Sequence, residues 1–227
     1  MKKIFFVVNH ISEFKINDLE KKYLNNVDIK YGTELPYNSE KFDLIILWSY
    51  RKIITNIKNK KNIILFHSSD LPKGKGWAPI YNTIKNNNDY FVITGILASS
   101  KVDSGDIIAQ AKFKMKPSYT AEILRKWDEE ICLILIKDIL EKFHGKEITG
   151  KNQVGEETFY ERRKPDDNEI DISSKIEDLL LHIRACEENH PAYFYYKNIK
   201  YNIKIQPELT PDFPDDLKIQ FFNNESN

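Results

Sequence analysis

Cysteine is nearly absent from this chain. Its two cysteines, Cys132 and Cys186, stand far apart and form no CxxC pair, which excludes a disulfide scaffold and a zinc ribbon. Both read as reduced thiols of a cytoplasmic protein. No apolar run approaches the roughly 18 residues of a membrane span. The opening Met1-Lys2-Lys3 followed by apolar residues 4–8 is too short for a signal peptide and reads as a buried first strand. Charge of one sign is not in excess: Lys+Arg and Asp+Glu are 34 each. A generic nucleic-acid binder normally shows a basic surplus, so that class is disfavoured. Glycine is scarce, at 8 of 227 residues, and only 5 of the 34 basic residues are arginine. A chain this sparing should place both where no other residue serves.

What is present is a series of short apolar runs. Residues 4–8, 43–48, 62–66, 90–97 and 106–111 each predict a buried strand. Between them, residues 16–24 and 77–85 read as helices, the second with Pro79 in its first turn, where proline is tolerated. Strands buried on both faces and separated by helices imply an α/β layer fold. The longest helix is expected over 118–144, capped by Ser118 or Thr120, with Ile123, Leu124, Trp127, Ile131, Ile134 and Leu135 as a core stripe without chemistry. Residues 145–171 turn polar and read as a linker. A helix then starts at Ser174, where Ser174-Lys175-Ile176-Glu177 matches a capping box. Two strands at 193–196 and 201–205 flank a Lys197-Asn198 turn, and the tail from Pro207 is expected to wrap the surface. The division expected is residues 1–150 as a core and 151–227 as linker, helix, β-hairpin and tail.

Chemistry concentrates after two predicted strands. His67-Ser68-Ser69-Asp70-Leu71-Pro72-Lys73-Gly74-Lys75-Gly76-Trp77 follows residues 62–66 directly. Ligands of α/β sheets bind beyond the carboxyl ends of strands, and a histidine there can exchange protons near neutral pH. Gly74 and Gly76 allow close backbone approach, but the GxxxxGK[ST] spacing of a phosphate loop is missing. The second stretch, Ser99-Ser100-Lys101-Val102-Asp103-Ser104-Gly105, carries one carboxylate before a tight turn. Alone, His67 is an ordinary loop histidine and Asp103 a turn cap. Together, each on a glycine-bearing loop after a predicted parallel strand, they would meet at one rim of the sheet.

The pattern His67-x-Ser69-x-Leu71-Pro72, a glycine-rich loop and Val102-Asp103-Ser104-Gly105-Asp106-Ile107 resembles the folate-dependent formyltransferases. Ser49-Tyr50-Arg51 with Ile53-Ile54, then Arg162-Arg163-Lys164-Pro165-Asp166-Asp167, Ile183-Arg184-Ala185 and Pro191-Ala192-Tyr193-Phe194, resembles their sugar-nucleotide branch. The resemblance covers about residues 40–206. It implies a Rossmann-like formyltransferase core with a mainly parallel twisted sheet, plus a small C-terminal helix and β-hairpin. It also implies transfer of a formyl group from N10-formyltetrahydrofolate to an amine, without a metal. His67 and Asp103 would handle the protons and the oxyanion. Ser69, Leu71, Ser99, Val102 and Asp103 would meet the folate donor; Tyr50, Arg51, Lys75, Trp77, Arg184 and Tyr193 would meet the acceptor. Lys75, Arg184 and Arg51 are candidates for a diphosphate, each equally readable as a surface ion pair. Trp77, Trp48 and Tyr193 are candidates for stacking, though core packing is the favoured reading for each. One position departs from the family. Its asparagine two residues before the histidine is Leu65 here, so a backbone N–H, a water or Ser68 would have to stand in.

The chain's early end and zero net charge argue against tRNA as acceptor. The expected partner is a nucleotide-linked aminosugar of surface-glycan or O-antigen synthesis, with a dTDP-4-amino-4,6-dideoxyhexose as first guess. Alternatives are another amine acceptor, or a catalytically impaired folate- or nucleotide-binding homologue. No nucleic acid or membrane partner is expected, and a homodimer through the C-terminal hairpin is considered.

Overall fold

The computed structural model describes residues 1–11, 17–52 and 62–222. Ile53 and Ile54 of the resembling segment, and Ile16 at the start of the expected first helix, lie outside them. The elements run β1 (Lys2–Val7), α1 (Asn17–Tyr23), β2 (Val27–Gly32), β3 (Leu44–Leu47), β4 (Ile63–His67), β5 (Lys75–Gly76), α2 (Pro79–Lys85), β6 (Tyr90–Leu97) and β7 (Ile107–Lys114). There follow α3 (Ala121–Lys142), β8 (Phe159–Tyr160), α4 (Ile176–Ala185), β9 (Ala192–Tyr196), β10 (Ile199–Ile203) and β11 (Lys218–Phe221). A central sheet of seven strands has the order β11-β7-β6-β4-β3-β1-β2. Strands β2, β1, β3 and β4 are parallel; β6, β7 and β11 each pair antiparallel with their neighbour.

The apolar runs sit where burial on both faces demands them: all of β3 is buried, as are Ile4, Phe6 and Val7 of β1. β2 escapes that pattern. It is an edge strand and alternates, Val27-Asp28-Ile29-Lys30-Tyr31, so no continuous run marks it. Helix α3 starts at Ala121, because Thr120 rather than Ser118 caps it, accepting the Ile123 N–H at 3.4 Å. Its 22 residues span two core clusters. Leu133, Ile136 and Ile139 pack against Ile4, Phe6, Ile46 and Ile64. Leu124, Trp127, Ile131 and Leu135 pack against Phe91, Ile93, Ala109 and Phe113. Helix α4 starts at Ile176 with Lys175 at its cap, and no side chain bonds there, so Ser174 does not close the expected capping box. α4 leans on α2, where the Tyr81 hydroxyl lies 2.7 Å from His182 Nδ1. The hairpin turns at Lys197-Asn198 as expected, with φ of 47° and 63°, but its second strand starts at once, at Ile199 rather than Tyr201, because the turn has only two residues.

Two segments do more than their composition suggests. Within the expected linker, β8 pairs parallel with β5, and Lys151 bridges Ile107. The tail does not merely wrap: β11 adds to the free edge of β7. Among the described residues no helix is long and apolar enough to cross a membrane.

Candidate active site

β4 ends at His67, and a loop held by its own polar atoms follows. Ser69 Oγ donates to the Lys73 carbonyl at 2.8 Å, and Thr94 Oγ1 donates to the Ser69 carbonyl at 2.6 Å. Gln110 Nε2 ties Asp70 and Thr94 together, at 3.1 Å to each. Leu71 is buried among Ile96 and Ile107, beside a cis Leu71–Pro72 bond. Ser69 and Leu71, expected to meet the donor, therefore shape the loop from inside. Gly76 has a φ of 93°, and a Cβ there would stand 2.6 Å from the Tyr160 carbonyl oxygen. Only glycine permits that approach.

His67 is buried, and its Nε2 lies 2.8 Å from the Gly74 carbonyl. A carbonyl only accepts, so Nε2 carries the hydrogen and Nδ1 of the neutral ring holds the lone pair. That Nδ1 faces Asp103 Oδ2 at 3.6 Å. The same Oδ2 accepts the Gly76 N–H at 2.9 Å, which locks the carboxylate against the loop.

Asp103 does not arrive by the route expected. β6 is antiparallel to β4, so the loop after it leaves the opposite end of the strand. His67 pairs in register with Thr94, three positions before Leu97. The loop reaches back to His67 by doubling over itself. At Gly105 a Cβ would lie 1.6 Å from the Leu97 carbonyl oxygen, so no side chain fits. Asp103 itself sits at φ 45°, a left-handed conformation that Asp tolerates better than most residues. Gln153 Nε2 fastens the turn by donating to the carbonyls of Asp103 and Gly105, each at 2.8 Å.

Residues 151–160 form a strap over the glycine loop. Thr158 Oγ1 accepts the Gly74 N–H at 2.8 Å, and the Thr158 carbonyl accepts the Lys75 N–H at 2.9 Å. Lys75 is fully buried, and its Nζ donates to Glu157 Oε1 at 2.7 Å and Ser104 Oγ at 2.9 Å. Its expected role toward a diphosphate gives way to an internal one. The ammonium is already paired and joins loop, strap and the Asp103 turn.

Ser68 is likewise committed. Its hydroxyl donates to Asp128 Oδ1 of α3 at 2.6 Å, so its proton is not free for a developing oxyanion. Burial pushes the Asp128 carboxyl above its usual range, against the opposing pull of Ser68, Arg125 and His67. Leu65 lies in an apolar cluster with Leu71, Ile96 and Ile107, and offers no donor.

Other expected residues divide between two regions. Tyr50 and Arg51 follow β3, which is parallel to β4, so they emerge at the edge where His67 stands. The Tyr50 hydroxyl donates to the Thr33 carbonyl at 3.3 Å, and the Arg51 side chain is exposed. Ser99 caps its own turn by accepting the Lys101 N–H, while Val102 is well exposed next to Asp103. Trp77 is partly exposed under the Arg162 guanidinium, 4.9 Å from its ring centroid. Arg184 and Tyr193 are not brought to this group. Arg184 lines a cavity by α2 and β7; Tyr193 is buried on β9 beneath Lys200. Sequence reasoning missed Asp128, Gln153, Glu157 and Thr158. Asp128 left one signal, a carboxylate between the core positions Trp127 and Ile131; the other three left none.

A family model described as formyl transferase matches residues 15–130, and the chain belongs to that family. A methionyl-tRNA formyltransferase of Treponema denticola is 28% identical over 199 residues, covering 84% of this chain and 60% of the relative. The chain thus spans about three-fifths of that relative's length. Several solved structures share the fold. A methionyl-tRNA formyltransferase from Clostridium thermocellum has a TM-score of 0.72 at 22% identity, covering 97% of this chain and 100% of its own. A sugar N-formyltransferase from Shewanella has 0.66 at 18%, covering 93% and 100%. HypX from Aquifex aeolicus in complex with tetrahydrofolic acid has 0.67 at 17%, covering 93% and 39%.

Proposed function

We propose that this chain transfers a formyl group from N10-formyltetrahydrofolate to the amino group of a nucleotide-linked amino-dideoxy sugar. The observation that carries the transfer is the fixed histidine: Nε2–H is spent on Gly74, and Nδ1 keeps its lone pair beside Asp103 at 3.6 Å. The donor supplies an activated formyl carbon. His67 Nδ1 accepts a proton from the acceptor amine, and the Asp103 carboxylate stabilises the imidazolium that results. The same Nδ1–H can then return the proton to the leaving nitrogen. The donor suits the residues present, because exposed Val102 offers an apolar surface to a flat ring next to Asp103. With Lys75 spent, Arg51 at the sheet edge is the cation for a diphosphate, and Trp77 with Arg162 is a stacking surface.

The sugar acceptor is supported by the balance of 34 basic and 34 acidic residues, which offers no surplus for a polyanion. The fold is shared with a sugar enzyme and a methionyl-tRNA enzyme alike, so it is compatible with the sugar reading without deciding it. A second reading, methionyl-tRNA as acceptor, is favoured by the name of the Treponema relative. In the sugar reading the enzyme is cytoplasmic, serves surface-glycan synthesis and pairs through the β9–β10 hairpin, where Tyr195, Tyr196 and Ile199 are exposed.

The test offers N10-formyltetrahydrofolate with a panel of nucleotide aminosugars and, separately, methionyl-tRNA, and reads formylated product by mass. A formylated sugar is expected, and His67→Asn should lower turnover by about 10²–10⁴. Product on tRNA alone would transfer the assignment to the second reading. No product with any amine would leave a binding homologue, as the missing donor at Leu65 allows.

A further inference from the structure

Arg184, in the last turn of α4, is only 9% exposed. Its Nε has no hydrogen-bond partner, and among the described residues no carboxylate forms an ion pair with it. Burial alone acts on this guanidinium, pulling its proton affinity down. A buried cation without an anion is unfavourable, and interiors normally supply the counter-charge. Here the surroundings leave room for one. Arg184 lines a cavity of about 460 Å³ bounded by the end of α2, the start of β6 and the end of β7. Lys114 and Lys116 add two more cations, Asn87 and Asn88 add amides, and Asp89 is the one carboxylate of the lining. Lys116 is shared with Asp215 at 4.0 Å, and Asp216 lies beside Lys114 and accepts its backbone N–H, so Arg184 is the cation of the lining left without a carboxylate.

We propose that this cavity binds a phosphate group of a small molecule, with Arg184 as the bidentate donor and Lys114 at the rim. The planar guanidinium fork matches two phosphate oxygens, and a phosphate would supply the counter-charge that the buried Arg184 lacks. The site shares no lining residue with the His67 group, so it stands independently of the formyl-transfer reading.

Inorganic phosphate and pyrophosphate are the probes, at constant ionic strength against chloride. The melting temperature of the full chain should rise saturably with either, as binding to the folded state requires. Arg184→Met should abolish the rise with inorganic phosphate and, without phosphate, should melt above the wild type, because an uncompensated charge has been removed. Lys30→Met, on the edge strand β2 and part of neither site, should keep the full response. If Arg184→Met does not fold, Arg184→Lys serves, with calorimetric affinity expected to fall roughly tenfold as the fork is lost. An absence of saturable phosphate binding by the wild type would overturn the proposal. So would an equal response in the Arg184 variants.

Discussion

Asp103 carries two duties that substitution can separate. Its carboxylate faces His67 Nδ1 at 3.6 Å and also accepts the Gly76 N–H, from a backbone at φ 45°. Asn keeps the acceptor and tolerates that backbone, so Asp103→Asn should cost little stability yet lower turnover about 10²-fold or more. Asp103→Ala loses both and should also unfold about 1–2 kcal/mol more easily. Denaturant melts beside formyl-transfer rates distinguish them, and near-normal turnover in the Asn variant would remove the charge from the mechanism. Asp128 gives a pH signature. Burial raises its folded carboxyl above the ordinary 3.8 of the unfolded chain. The protonated form is thus favoured by folding, and this stabilisation is complete below pH 3.8 and lost as pH rises through the folded value. Asp128→Asn still accepts the Ser68 hydroxyl but never ionises. It should be more stable than wild type at pH 7.5, with the gain vanishing in acid, as urea melts across pH would show.

At the scale of elements, the strap over residues 151–160 completes the site. Lys75 is fully buried and Glu157 is half exposed, so the two partners are not equivalent. Glu157→Ala strands a buried ammonium with only Ser104 and should cost about 2–3 kcal/mol, with faster protease cleavage inside the strap. Lys75→Met leaves a solvated Glu157 and should cost much less. A larger loss for Lys75→Met would place the anchoring elsewhere. Neither the strap nor the route of Asp103 was legible beforehand. Polar residues 151–158 have no periodicity, and their partners lie some 50 to 80 positions away, at Asp103, Gly74 and Lys75. The helices and buried strands were legible, because burial on one or both faces imprints a period. The edge strand β2 alternates instead of running apolar, and β11 alternates over only four residues, so neither was marked by an apolar run.

For the molecule as a whole, β11 closes the antiparallel end of the sheet. Phe221 reaches both major core clusters, and Phe222 N–H bonds the Ile108 carbonyl at 2.8 Å. Removing residues 207–227 would bare the β7 edge, and an open edge invites pairing with other chains. The truncated protein should melt several degrees lower and elute from gel filtration as species larger than the full chain or aggregate at micromolar concentration; an elution volume matching the full chain's state would show that β7 needs no cover.

By itself the sequence determined the α/β class and the main helices, and it pointed to His67 and Asp103 as the pair proposed for the chemistry. Apolar period is a local property, and His67 and Asp103 sit in short motifs with glycine beside them. Tertiary structure decided everything that depends on pairing across the chain. It reversed β6, doubled the Asp103 loop back over Leu97, spent Lys75 on Glu157 and took Arg184 to another cavity. A charged side chain reads the same in sequence whether it is paired inside or free for a ligand; only the neighbours brought by folding settle which.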